Sequence, residues 1–223
     1  MAGILRLSRL LVIAVALTAC ASTPPPHVDH IMLGVSDLDR GIQELQSLTG
    51  IRAVYGGEHP NRGTHNALVS LGADTYIEVI APRAGATVSA DLAGLAKLEH
   101  LTPVGWAVGA TREQVERSGM KTTVPQAGSR RKPSGDVLHW ETFGLAQPLE
   151  NAPFFIRWSD PAKHPAKTSP GGCSLGGLEF DDPNAGELTR VIRALGFDFP
   201  VATGTAAMRV TLRCGTRTVR LPN

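Results

Sequence analysis

GGEHPNRGTHNALVSLGADTYIEVIAP, residues 56–82, decides how this chain is read. It holds two short apolar runs, HNALVSL and TYIEVIAP, separated by Gly72-Ala73-Asp74, which is hairpin chemistry. Glu78 lies in the second run among Ile77, Val79 and Ile80. Strand periodicity puts Glu78 on the same face as Tyr76 and Ile80. A carboxylate on a buried face needs a cation or a proton beside it, so Glu78 is either solvated or held for a purpose in a cavity.

Reading outward, VDHIMLGV (28–35) has the β-branched alternation of a strand. Ser36-Asp37 suit a helix N-cap, and Leu38, Ile42, Leu45 and Leu48 form a helical stripe stopped by Gly50. IRAVYGG (51–57) completes a β-α-β-β-β unit with the two runs above. The order recurs. PVGWAVGA (103–110) reads as a strand and TREQVERSG as a helix capped by Thr111. KTTVPQ, VLHWETFG and PFFIRW follow as extended runs. From residue 174, LGGLEF, a helix through NAGELTRVIRALG, then FPVAT, MRVTLRC and RTVRLP repeat it once more. A period of roughly fifty residues with one element order indicates duplicated units. The expected class is α+β: tandem βαβββ units with curved mixed sheets and helices outside. Segments 83–102 and 159–172 read as linkers, the second rich in Pro, Gly and Lys.

The N-terminus is of a different kind. Arg6 and Arg9 precede the short apolar run LLVIAVALTA, a secretory signal pattern too short to span a membrane. The run ends in Leu17-Thr18-Ala19-Cys20, which resembles the bacterial lipobox. That resemblance implies cleavage after residue 19, lipidation of Cys20, and an anchored lipoprotein of the cell envelope. Ala21, not Asp, would point to the outer membrane in a Gram-negative cell. Three successive prolines, Pro24 to Pro26, make residues 20–27 a tether. Residues 28–160 are then a two-unit domain (28–82 and 101–160), with a third unit at 173–223.

Composition excludes some classes. The 223-residue chain is 42% hydrophobic and 19% charged, with a formal charge of +2. Residues 1–19 carry two arginines and no acid, so the mature chain is neutral and offers no electrostatic case for nucleic acid. The basic run Ser129–Lys132 reads as a solvated loop between Gly128 and Pro133. With Cys20 assigned to lipid, Cys173 and Cys214 are an even pair in an oxidising compartment. They read either as a bridge or as two buried thiols.

The tandem βαβββ order resembles the vicinal-oxygen-chelate superfamily. Asp29-His30, the GTHNAL word at 63–68 and YIEVIAP at 76–82 are similar to its glyoxalase-like domain branch, as are Phe154–Trp158 and His164-Pro165. The resemblance implies an open cup in which a His on strand one and a Glu on strand four hold a divalent metal (Zn, Fe, Mn, Co or Ni), with ligands from both units. Here those residues are His30 and Glu78. The second unit departs from the pattern: its strand one has Trp106 and no His, and its strand four has Arg157 and no carboxylate. A third ligand would have to be a substitute, with His65 and His139 the imidazoles available on strands; His65 is the expected one and, with Glu78, a catalytic residue. Asn66, His139 and Arg157 are expected to touch substrate. His59 and His164 precede prolines and read as loop residues; the three tryptophans read as core. Two functions follow from the resemblance: a metal-assisted enzyme acting on a small oxygen-bearing metabolite, in which Glu78 alternatively acts as a base of raised pKa, or a metal-free small-ligand binding protein of the envelope. Whether the units pair within one chain or across a homodimer is left open.

Overall fold

The computed structural model describes residues 23–221, so the expected leader and Cys20 fall outside the described residues. Strand β1 (His27–Gly34) leads into helix α1 (Leu38–Thr49), then β2 (Val54–His59), β3 (Thr64–Ser70) and β4 (Tyr76–Pro82). The local chemistry sets these limits. Asp37 accepts from the Arg40 N–H at the helix start, and Gly50 closes it at φ 80°. Leu38, Ile42 and Leu45 are buried; each stabilises the fold by about 1.5–3 kcal/mol on removal from water.

The second unit runs β5 (Thr102–Gly109), α2 (Arg112–Arg117), β6 (Gln126–Arg131), β7 (Val137–Phe143) and β8 (Phe154–Trp158). Thr111 and Gln114 form a reciprocal capping box at the start of α2. In each unit the first strand runs parallel to the fourth, giving β1-β4-β3-β2 and β5-β8-β7-β6. The halves join through antiparallel β1–β5 and through one pair, Glu58 with Arg131, between β2 and β6. The eight strands close into a barrel within one chain.

Two expectations change here. The sixth extended run is not KTTVPQ but QAGSRR, residues 126–131, so the basic run expected as a loop is a barrel strand. Thr122 makes only an isolated bridge to Leu145, and the sheet register begins at Gln126. The third segment, β9 (Cys173–Asp182), α3 (Ala185–Ala194), β10 (Val201–Thr203), β11 (Ala207–Cys214) and β12 (Arg217–Arg220), keeps the βαβββ order along the chain. Its strands, however, lie β10-β9-β11-β12. It is a separate four-stranded sheet and adds no strand to the barrel. Cys173 and Cys214 are register partners on β9 and β11 and form a disulfide.

The apolar core lies outside the barrel. Ile31, Leu33, Val79 and Trp106 belong to one cluster with Leu178, Phe180 and Val210 of the third sheet. Trp106 packs on Phe180 and Phe199 and donates to the Asn151 carbonyl at 2.9 Å. The barrel interior is different: small apolar clusters at its ends and buried polar groups between them.

The candidate active site in the barrel interior

Period-two alternation along β4 turns Tyr76, Glu78 and Ile80 to the interior, and Ile77, Val79 and Ala81 to the outer core. Antiparallel pairing of Asn66 with Ile80 and Leu68 with Glu78 puts Asn66 and Leu68 on the same interior face. Two bulges break the alternation beside them. One, between Val28 and His30 on β1, lets adjacent Asp29 and His30 both reach the interior network. The other, between Tyr55 and Gly57 on β2, carries the strand on to His59, opposite Thr64.

These residues form one connected network. Asp29 Oδ1 accepts from His30 Nδ1 at 2.7 Å, while Oδ2 accepts from Trp158 Nε1 at 2.9 Å and His164 Nε2 at 3.1 Å. The His164 tautomer follows from its other nitrogen, which accepts the Ala166 N–H at 3.2 Å. His30 stacks on Tyr76 at 4.7 Å and presents Nε2 to Glu78 Oε2 at 3.6 Å. Glu78 Oε1 accepts from the Asn66 amide at 2.6 Å, and Arg130 Nη1 donates to Asn66 Oδ1 at 3.2 Å. His59 Nδ1 meets Thr64 Oγ1 at 3.1 Å, and its Nε2 lies 3.5 Å from the Asn66 amide nitrogen and 3.7 Å from Glu78 Oε1.

Burial and charge then set the protonation states. Burial raises the Asp29 pKa, but the bonds from His164 and His30 outweigh it and leave the carboxyl well below the usual range. Burial likewise raises that of Glu78, and His59, His30, the Asn66 amide and Arg130 together bring it below its ordinary value. The expected raised pKa for Glu78 is therefore overturned. His59 itself is pushed down to about 4, chiefly by burial. It is neutral at pH 7, where the Asn66 hydrogen bond and Arg130 still favour the ionised form of Glu78. Burial also lowers the pKa of Arg130, with Tyr76 and Glu78 opposing; a guanidinium nonetheless stays charged.

Of the residues marked from sequence, His30, Glu78 and Asn66 are brought together, and His65, His139 and Arg157 are not. His65 takes the outer face of β3, half-buried against Tyr55 at 6.1 Å, because alternation turns it away from Asn66. His139 and Arg157 are exposed, and Arg157 pairs with Glu141 at 3.5 Å across β7 and β8. His59, His164 and Arg130, read from sequence as loop residues, are all buried in the network. The signal at the first two was the repeated His-Pro word, at 59–60 and 164–165. Trp140 and Trp158 line the interior, Trp140 at 6.0 Å from His59; only Trp106 is core in the expected sense.

A divalent metal does not fit this donor set. The Asn66 N–H group occupies Glu78 Oε1, and the barrel half that would supply further ligands supplies the Arg130 cation. Among the described residues no three His, Cys, Asp or Glu side chains are arranged to hold a metal ion. What the arrangement offers is an ionised carboxylate facing an imidazole, each fixed from behind.

The chain was compared with known proteins. A family model described as glyoxalase-like domain matches residues 28–196. No curated protein matches the chain. Among solved structures, a hypothetical protein from Staphylococcus aureus superposes with a TM-score of 0.57 at 14% identity, over 87% of this chain and 84% of that one. Methylmalonyl-CoA epimerase from Streptomyces coelicolor, in complex with 2-nitronate-propionyl-CoA, gives a TM-score of 0.41 at 14% identity, over 60% and 97%. The Mycobacterium tuberculosis methylmalonyl-CoA epimerase gives 0.40 at 16%, over 58% and 85%.

Proposed function

Because the chain belongs to the glyoxalase-like domain family, we propose that its barrel interior binds a small oxygen-bearing metabolite and that Glu78 and His30 move a proton on it without a metal. The observation that carries this is the facing pair, His30 Nε2 and Glu78 Oε2 at 3.6 Å. Glu78 stands ionised and ready to take a proton from carbon or oxygen. Asp29 binds Nδ1 of His30, so the ring's other nitrogen stays aimed at Glu78. A proton taken by Oε2 can pass to Nε2, exchange there, and return through Oε2 to the same carbon, which restores the site to its starting state.

The test is hydrogen–deuterium exchange by purified protein on a panel of small 2-oxo and 2-hydroxy compounds in D2O. Exchange is expected at a carbon next to oxygen, reduced about 10²–10⁴-fold in Glu78→Gln. Unchanged exchange in that variant would remove Glu78 from the chemistry. A second reading, ligand binding alone, is favoured by depth: His30 and Glu78 are only 3% and 6% exposed. Binding without any exchange would decide for it.

The envelope location belongs to the same proposal. The Cys173–Cys214 disulfide supports an oxidising compartment, and LTAC at 17–20 supports a lipid anchor. Labelling with a palmitate analogue is expected in the native protein and absent in Cys20→Ala; equal labelling would refute the anchor.

A further inference from the structure

Arg130 lies inside the barrel at 3% exposure. One side of its guanidinium, Nη1, donates to Asn66. Among the described residues nothing accepts from Nε, which is buried. A guanidinium offers its donors in a planar fork that matches a carboxylate through two parallel hydrogen bonds. The fold also makes room for this side chain. A Cβ at Gly56, the bulged residue of β2, would sit 2.6 Å from Arg130 Nη1. Leaving a donor of a buried cation unbonded costs more than leaving a neutral one.

We propose that the Nε side of Arg130 is a subsite for the carboxylate of a small monocarboxylic acid, with the rest of that molecule lying toward Glu78. Asn66 spaces the two charges: its amide oxygen is on Arg130 and its amide nitrogen on Glu78, so guanidinium and carboxylate stand one amide group apart. A short acid bridging them puts its anionic end on Arg130 and the carbon beside it near the Glu78–His30 pair. The interior already holds the carboxylates of Asp29 and Glu78. They repel a phosphate dianion about twice as strongly as a single negative charge, which the Arg130 cation is left to offset. This rests on the proposed function for the identity of the site, while the binding itself needs no proton transfer.

The experiment follows the Arg Nε–H resonances of the ¹⁵N-labelled protein during titration with lactate, acetate, acetamide and inorganic phosphate. One Nε–H signal, assigned by its absence in Arg130→Gln, is expected to shift with lactate and acetate and not with acetamide. Arg130→Gln is expected to weaken lactate binding about tenfold or more. Arg131→Gln, a change at the exposed neighbour, is expected to bind as the native protein does. Glu78→Gln is expected to keep the Nε–H shift while losing exchange chemistry, so failure of the proton-transfer reading is seen separately. No shift with either acid, an equal shift with acetamide, or tighter binding of phosphate would overturn the proposal. Should Arg130→Gln not fold, Arg130→Lys, which keeps the charge and lacks an Nε–H of this kind, assigns the signal in its place.

Discussion

His59 shows how one side chain couples this interior to pH. Its pKa is about 4 in the fold against about 6.5 in the unfolded chain. Below pH 6.5 the unfolded chain takes up a proton that the folded one refuses. Stability is therefore complete above pH 6.5, falls as the pH drops, and levels off near 4, a loss of about 3 kcal/mol. Urea denaturation at pH 7 and at pH 4.5 is expected to show that loss in the native protein and to show less of it in His59→Gln. An identical pH slope in the variant would mean that His59 is not held neutral. Asp29 has the same sign at lower pH: its depressed pKa lends stability above the carboxylate range that is lost on acidification.

At the scale of elements, glycines on β2 do what no other residue can. Gly57 has φ 134°, and a Cβ there would run into the Arg131 carbonyl on β6. The joint between the two halves on this side is one residue pair, Glu58 with Arg131, so little else restores it. Gly57→Ala is expected to destabilise the protein by about 3 kcal/mol, read as a lower urea midpoint with an unchanged slope. Gly72→Ala, also at positive φ but with open space around it, is expected to cost less. The same strands mark where sequence reading succeeds and fails. β3 and β4 keep their period throughout, so apolar spacing alone gives Glu78 its face; His30, on bulged β1, and Asn66 were reached through the family resemblance. His59 and Asp29 lie at or beyond bulges, where alternation stops predicting a face. Arg130 sits on a strand without an apolar pattern, because its inner face is itself polar. His164 is held by a bond to a residue 135 positions away, which no local rule can see. His65 was misplaced by the converse error: the missing half-site made it the third ligand, although alternation already turned it outward from Asn66.

For the whole molecule, the two segments read as linkers close the barrel. Residues 90–97 form a 3-10 turn whose Leu92 and Leu95 pack on Ile80 and Met32, and Arg62 pairs with Asp91 to hold it. Residues 161–167 form two more turns, which bring Ala166 against Leu68 and Tyr76 and bring His164 to Asp29. Neither segment is a spacer; each is a stopper in one end of the interior. The consequence is a matter of timing. A molecule heading for Glu78 is expected to wait for a stopper to lift, so that collision does not set the pace of entry once the molecule is abundant. In stopped-flow mixing that follows Trp140 and Trp158 fluorescence, the observed rate is expected to rise with lactate concentration and then level off at the opening rate. Replacing Asp91 by Ala, which removes the Arg62 tie, should raise that ceiling. A rate that climbs linearly without limit would mean that the door is always open.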